Sequence, residues 1–283
     1  MFRAALTGVG ILRDRVAYYF LDWDAQVIVS AFAWTRFVLG PSRVSIGAFG
    51  TSVFLRTVEL DTYIAEKAPR QVVILGAGLD ARPYRMAGPW LPQDVVFFEV
   101  DAPTTQAQKL EIVQRAKQRA PPGVFTRAWE EGRVKYAPCD FSTGESFIEK
   151  LKEAGFNAAD STTVFVLEGL TMYLEFSEVK STLEDISKSC APGTAVAVQV
   201  IHADAVNSPA ASRFAQYGEK WKWGMQDNET PQQVFGDMGY QVDKAITTLE
   251  SFRAHAPNRP VPAFLKHGSS RGKGQIVFMT VAG

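Results

Sequence analysis

The spacing of hydrophobic positions changes near residue 70. Before that point apolar residues recur at helical spacing, as at Val53, Leu60 and Ile64, and predict helices within residues 11–66. After it, short runs rich in valine, isoleucine and phenylalanine alternate with longer amphipathic stretches. The runs are 71–75, 95–100, 133–137, 162–167, 194–201, 240–248 and 275–281. These runs predict strands.

The stretches between the runs predict helices. Val179, Leu183, Ile186 and Cys190 fall on one helical face, and residues 147–154 form another. Alternating strands and helices indicate an α/β fold with a mostly parallel sheet covered on both sides, and near-continuous apolar strands agree with it. We expect a single domain over residues 1–283, with a helical N-terminal extension (1–68) before an α/β core (69–283).

A glycine-rich loop follows the first predicted strand. Its sequence, Gly76-Ala77-Gly78-Leu79-Asp80, contains two glycines where backbone can approach a ligand closely. Asp101 closes the next strand, 25 residues after Gly76, near the offset of about 20 residues at which an acid binds ribose hydroxyls. The alternative is that Asp101 only caps a helix starting at Pro103.

The loop also favours one class of adenosine ligand over another. A dinucleotide-binding loop usually contains a third glycine, which is missing here. In addition, the Asp80 carboxylate would face the negative charges of a pyrophosphate. The same carboxylate suits a ligand that carries an ammonium or a sulfonium group. The loop therefore favours S-adenosylmethionine over a nicotinamide dinucleotide.

Composition restricts the partners. Lysine plus arginine and aspartate plus glutamate number 30 each, so no global field favours nucleic acid or an anionic membrane. Cys139 and Cys190 have no metal-ligand spacing and are expected to be buried free thiols in a reducing, cytoplasmic setting. Early charged residues argue against a secretory signal, and residues 25–40 are too polar to span a bilayer. We expect that stretch to be a helix over the fold or a pocket.

Four segments resemble motifs of the leucine carboxyl methyltransferase family and its bacterial and fungal relatives. They span residues from about 50 to 200 with an arginine-bearing stretch, Phe54-Leu55-Arg56-Thr57, at the start. The four segments are Val73–Arg82, Phe98–Pro103 with Lys109, Ala137–Phe141 and Phe165–Leu174. The resemblance implies a class I methyltransferase (Rossmann-like) fold, with a seven-stranded, mostly parallel sheet whose last strand is antiparallel.

The resemblance also implies roles for particular residues, with S-adenosylmethionine as cofactor. Gly76 and Gly78 would approach the cofactor, Asp101 would hold the ribose diol, Asp140 would accept from the adenine amino group, and Phe141 would lie beside the ring. Glu168 would lie near the methionine moiety, and Arg56 would bind its carboxylate. The structural alternatives are a helix cap for Glu168, a surface arginine for Arg56 and a turn residue for Asp140.

Methyl transfer needs alignment of an acceptor with the sulfonium carbon. A carboxylate acceptor needs no general base, whereas a hydroxyl benefits from one. His202 follows the strand that ends at Ile201 and is a candidate base, with a structural histidine as the alternative. Tyr173 is a second catalytic candidate, although pocket wall or core is the favoured interpretation. The weaker candidates and possible pocket walls are His255, His267, Met172, Tyr217, Trp221 and Trp223.

The leading hypothesis is an S-adenosylmethionine-dependent O-methyltransferase of a small-molecule carboxylate or hydroxyl. The alternatives are a carboxyl methyltransferase of a protein C-terminus, a non-catalytic cofactor-binding protein of the same fold, and a nicotinamide-dependent dehydrogenase. We expect a small-molecule partner, no nucleic acid, no membrane and no metal, and a monomer or homodimer.

Overall fold

A computed structural model describes residues 14–22, 24–27, 29–30, 47–86, 91–141, 143–216, 218–266 and 270–283. Within these residues seven strands form one sheet in the order β3-β2-β1-β4-β5-β7-β6. The strands are β1 (Gln71–Leu75), β2 (Val96–Asp101), β3 (Val134–Pro138), β4 (Thr163–Leu167), β5 (Ala195–Val200), β6 (Tyr240–Thr247) and β7 (Gln275–Val281). Only β7 runs antiparallel to its neighbours, β5 and β6. The predicted class I methyltransferase fold is confirmed.

Each strand lies within one residue of its predicted bounds. The central strands are the easiest to predict, because they carry apolar residues on both faces. β1 and β4 are buried at every position, as helices on both sides of a parallel sheet require. At the far edge β6 has a single buried residue, Tyr240, and carries a bulge between Val242 and Lys244.

The helices pack on the two faces of this sheet. They are α1 (Arg15–Tyr19), α2 (Gly47–Lys67), α3 (Arg82–Arg85), α4 (Pro103–Arg119), α5 (Arg127–Glu130), α6 (Phe147–Glu153), α7 (Phe176–Ser189), α8 (Ala203–Val206), α9 (Pro209–Ala215), α10 (Pro231–Phe235), α11 (Thr248–His255) and α12 (Ser270–Lys273). Short 3₁₀ turns lie at Thr171–Tyr173, Gly236–Met238 and Ala263–Leu265. The helix α10 thus ends at Phe235, and the chain continues as the 3₁₀ turn Gly236–Met238.

Successive residues of β1 serve two separate cores. Val73 and Leu75 pack with the α6 and α7 side of the sheet, whereas Val72 and Ile74 pack with α2 and α4. The parallel register of β1 with β2 and β4 places their carboxyl ends in one row, where the glycine loop emerges. The two cysteines are buried and free, as predicted.

Parts of the N-terminal prediction lie outside the described residues. The helix expected over residues 25–40 falls largely there, and the division at residue 68 remains a prediction. Among the helices that are described, none combines the length and apolar character needed to span a bilayer.

Candidate functional site

The glycine loop leaves β1 with a backbone that other residues rarely adopt. Gly76 and Gly78 have φ values of 65° and 38°, in the left-handed region. A Cβ built on Gly76 would lie 2.9 Å from Leu170 Cδ1, whereas one on Gly78 would meet only the Gly76 carbonyl at 3.9 Å. Gly76 is therefore required for packing, and Gly78 leaves an open face where a ligand can approach.

A buried ion pair supports the loop from below. Lys109, 1% exposed, donates to Glu99 Oε1 at 2.7 Å and to the Ala77 carbonyl at 3.3 Å. Burial raises the pKa of Glu99 to about 7, although Lys109 opposes this shift. The sequence places Lys109 in a motif but does not predict this support. The available signal was Glu99, a lone acid inside an apolar strand.

Asp101 lies at the end of β2, directly beside the loop. Its Oδ2 accepts the Gly78 amide at 2.6 Å, and its Oδ1 accepts the Ala102 amide at 2.7 Å. Ala102, not Asp101, is the N-cap of α4. Each carboxylate oxygen keeps lone-pair capacity for another donor, which fits a ribose diol.

Asp140 and Phe141 share this edge of the sheet. Asp101 pairs in register with Pro138, and its carbonyl accepts the Cys139 amide at 2.9 Å, so the chain after β3 lies next to Asp101. Phe141 is half-buried against Phe147, with ring centroids 5.8 Å apart. This neighbourhood of acid and aromatic ring fits an adenine, and their contact with one remains a prediction.

A cavity of about 760 Å³ opens on the other side of the glycine loop. Its size is in the range of small-ligand sites, about 300–1,000 Å³. Its lining includes the loop, Glu168, Gln199, Met172, Tyr173, Arg213, Glu219 and Trp221, with residues from 17–21, 246–251 and 274–276. Asp101, Asp140 and Phe141 are not part of this lining, so a cofactor held by them would reach the cavity only with its methionine end.

Glu168 is the meeting point of two arginines at the cavity edge. It is 4% exposed, and its carboxylate lies 2.7 Å from Arg56 Nε and 2.6 Å from Arg82 Nη1. Arg56 also donates to Gln199 Oε1 at 3.2 Å. These contacts do not fit a helix cap for Glu168 or a surface arginine for Arg56.

Arg82 is the fully buried centre of this network. Besides Glu168 it contacts Asp80, and its Nε donates to Asp61 Oδ1 at 2.8 Å. Burial opposes the guanidinium charge, but Asp80, Glu168 and Asp61 together raise the pKa of Arg82 above its usual value. The sequence alone does not predict this role of Arg82, because its partners are distant in sequence.

The network gives Asp80 a role other than the predicted one. Its Oδ1 accepts the Arg82 amide at 2.8 Å, and its Oδ2 pairs with the Arg82 guanidinium. Its charge is thus already balanced by a protein cation, so its position needs no cationic ligand to explain it. Asp80 lines the cavity and holds the end of the glycine loop against α3.

His202 is not among the residues that line the cavity next to the end of β5. It caps α8, with Nδ1 accepting the Asp204 amide at 3.2 Å and Nε2 lying 3.2 Å from Asp227 Oδ1. Since Nδ1 is an acceptor, the neutral ring carries its proton on Nε2. The flanking Ile201 and Ala205 line the cavity, but the imidazole does not. The structural alternative fits this geometry and the base role does not.

Tyr173 does line the cavity, as the wall interpretation expects. Its hydroxyl donates to Glu219 Oε2 at 3.0 Å. Burial, reinforced by Glu219, raises the pKa of Tyr173 to about 12, so the phenol remains protonated near neutral pH. At that pH its hydroxyl is a hydrogen-bond donor rather than a phenolate base.

Of the six remaining candidates, two line the cavity, two lie elsewhere and two fall outside the described residues. Met172 and Trp221 line the cavity, whereas Trp223 contacts Phe176 with ring centroids 5.3 Å apart. His255 Nε2 lies 3.0 Å from Glu59 Oε1, outside the cavity lining. Tyr217 and His267 lie outside the described residues.

Known methyltransferases resemble this chain in sequence and in fold. Residues 2–187 match the family model described as leucine carboxyl methyltransferase. A candidate S-adenosyl-L-methionine-dependent methyltransferase from Parafrankia sp. (strain EAN1pec) is 30% identical over 269 residues, covering 88% of this chain and 78% of that protein. Another from Mycolicibacterium gilvum (strain PYR-GCK) is 34% identical, covering 64% and 66%.

Several other relatives are matched over only about half their length, for example 56% of a candidate methyltransferase from Mycolicibacterium vanbaalenii (strain DSM 7251). Among solved structures, a candidate methyltransferase from Thermobifida fusca YX superposes with a TM-score of 0.55 at 16% identity, covering 100% of this chain and 95% of that one. At that identity the likeness supports the fold alone.

Proposed function

The chain belongs to the leucine carboxyl methyltransferase family and is an S-adenosylmethionine-dependent methyltransferase, and we propose that it methylates an oxygen of a small-molecule acceptor, in the first place a carboxylate. The observation that carries this proposal is the chemistry of the cavity wall. The described lining contains no histidine, its tyrosine, Tyr173, stays protonated, and its carboxylates Asp80, Glu168 and Glu219 each accept hydrogen bonds or ion pairs from protein donors. An acceptor that is already anionic needs no base.

One cation of the wall supports an anionic acceptor as well, while the wall carboxylates Asp80 and Glu168 are already paired with arginines. Arg213 of α9 lines the cavity and makes no hydrogen bond or ion pair within the described residues. Its guanidinium can pair with a carboxylate through two parallel hydrogen bonds. Apolar side chains such as Met172 and Ile201 complete the wall and suit an organic acid with a hydrophobic body.

The loop and its neighbours fit the cofactor. Gly78 offers an open face, and Asp101 offers two oxygens with lone pairs at the place where a ribose would lie. In this proposal Asp140 and Phe141 take the adenine, and Glu168 and Arg56 lie beside the methionine end. When bound, the cofactor supplies an electrophilic methyl group. The chain's own residues bind it, orient the acceptor and exclude water.

The test is methyl transfer from tritiated S-adenosylmethionine to matched probes. These are 4-phenylbutanoate and decanoate, the alcohols 4-phenylbutanol and decanol, 4-phenylbutylamine, and a short peptide ending in a leucine carboxylate. We expect the two acids to give methyl esters, which release volatile tritiated methanol in mild base, whereas methyl ethers from alcohols resist base. Transfer confined to the amine would contradict O-methylation.

The same assay separates the alternatives. Transfer to the peptide but not to the small acids would favour methylation of a protein C-terminus. Cofactor binding by calorimetry without transfer to any probe would favour a non-catalytic protein of this fold. The Asp101→Ala variant serves as the background control.

His202→Asn is expected to leave turnover of the methylated probe within about twofold of wild type from pH 6 to 9. The asparagine oxygen can still cap α8, so the fold is retained. Loss of a true general base would instead lower turnover by about 100-fold or more. Initial rates across this pH range decide between the two outcomes. A large, pH-dependent loss of turnover would support His202 as a general base.

A further inference from the structure

Gln199 is the only polar residue of β5, whose sequence is Ala-Val-Ala-Val-Gln-Val. Its side chain lines the cavity beside Glu168. A glutamine in an apolar central strand is costly unless its amide is hydrogen-bonded. The apolar run predicts the strand β5 but indicates no role for this residue.

The oxygen of the Gln199 amide is held by two donors from the protein. Oε1 accepts the Gly169 amide at 2.9 Å and Arg56 Nη1 at 3.2 Å. The backbone is fixed too, since the Gln199 carbonyl accepts the Thr171 hydroxyl at 2.8 Å. The side chain therefore has a defined position between the ends of β4 and β5.

These two donors also decide which way the amide faces. Exchanging oxygen and nitrogen would set the amino group against two N–H donors, so the network permits only one orientation. In that orientation Nε2 points away from Arg56 and Gly169. Within the described residues Nε2 makes no hydrogen bond, so its N–H groups are available to a molecule in the cavity.

We propose that Gln199 determines acceptor specificity by donating an Nε2 hydrogen bond to an oxygen of the methyl acceptor. The inference rests on the proposed O-methylation. In the reaction one acceptor oxygen forms a bond to the methyl carbon, the carbon–sulfur bond breaks, and its electron pair neutralises the sulfonium. A carboxylate becomes a methyl ester and no proton is released.

The geometry gives a carboxylate an advantage over an alcohol at this position. A carboxylate has two oxygens, so Gln199 can hold one while the other attacks. An alcohol has one oxygen, and a hydrogen bond from Nε2 would occupy a lone pair of the attacking atom. Gln199 thus favours a carboxylate over an alcohol because the carboxylate has a second oxygen, in addition to its negative charge.

Two substitutions separate this role from a structural one. Gln199→Glu keeps an oxygen for Gly169 and Arg56 but replaces the Nε2 donor with a second oxygen. Gln199→Met removes both. Gln199→Glu also adds a negative charge that repels an acid, so the neutral Gln199→Met decides between the roles. If Gln199 acts only by holding Gly169 and Arg56, Gln199→Met should weaken cofactor binding without changing the preference for 4-phenylbutanoate over 4-phenylbutanol.

We expect instead that Gln199→Glu raises the KM for the acid probe by about 10- to 100-fold, the effect of losing a hydrogen bond to a charged group. Its affinity for S-adenosylhomocysteine, measured by calorimetry, should stay within about threefold of wild type. Gln199→Met should also raise this KM and should lower the preference for 4-phenylbutanoate over 4-phenylbutanol. Gln241→Glu, on the exposed edge strand β6, is the matched control and should change neither constant.

The outcomes distinguish this inference from the function on which it rests. Wild-type KM in Gln199→Glu, measured with whichever oxygen probe the wild type methylates, would overturn the role of Gln199 and leave O-methylation standing. Failure of the wild type to methylate any oxygen probe while it binds cofactor would overturn both.

Discussion

Arg82→Met is expected to lower the free energy of unfolding by about 3–5 kcal/mol at pH 7, the cost of removing one partner from a buried ion network. Arg82 is fully buried and contacts Asp61, Asp80 and Glu168. Methionine fills similar volume but leaves these carboxylates without their shared cation. Urea unfolding followed by intrinsic fluorescence measures the loss, which is a large part of the total stability of a typical domain, about 5–15 kcal/mol.

The pH dependence of this loss has a defined sign. In the wild type the pKa of Arg82 is raised, so its favourable contribution is fully present below the arginine's usual pKa, including the range from pH 5 to 8. In the variant, burial and mutual repulsion would raise the pKa of the carboxylates. A raised acid pKa favours the protonated native state, so the variant should recover stability relative to wild type as pH falls from 7 to 5.

Two further variants make this prediction decisive. Arg253→Met, on the exposed side of α11, should change stability by no more than about 0.5 kcal/mol. Arg82→Lys keeps the charge but not the forked donors, and it serves if the methionine variant does not accumulate in folded form. A loss below about 1 kcal/mol in either Arg82 variant, without pH dependence, would mean that the network contributes little to stability.

The sheet could be predicted because its signal is local. β1 and β4 are apolar on both faces, so their runs are unbroken and their ends are sharp. The glycine loop and Asp101 were also accessible, because position at a strand's carboxyl end places a residue at the ligand edge of a parallel sheet.

The ion network could not be predicted in the same way. Arg82 contacts Glu168 across 86 positions and Asp61 across 21, so no local pattern joins them. Position alone also misled at His202: the end of β5 fixes the edge of the sheet but not the direction of the side chain. α8 begins at the next residue, and the ring turns back to cap it.

Asp101→Ala is expected to weaken S-adenosylhomocysteine binding by about 100-fold or more, from the loss of two hydrogen bonds between a charged carboxylate and the ribose diol. Isothermal titration calorimetry measures the change. Asp94→Ala is the matched control, since Asp94 is an exposed aspartate before the same strand, and it should bind like wild type. Affinity within about threefold of wild type in Asp101→Ala would contradict the assignment of the ribose site.

A weakened variant could also reflect a disturbed glycine loop, because Asp101 Oδ2 accepts the Gly78 amide at 2.6 Å. Asp101→Asn separates the two causes. Its amide oxygen can still accept from Gly78, which holds the loop. Its amino group has no lone pair for a ribose hydroxyl, and it also gives up the hydrogen bond that Oδ1 accepts from the Ala102 amide. If ribose binding is the dominant role, the asparagine variant should lose only the small thermal stability that the Ala102 hydrogen bond contributes without ligand, but most of the affinity. Recovery of full affinity in that variant would instead assign Asp101 to the loop and place the ribose contact elsewhere.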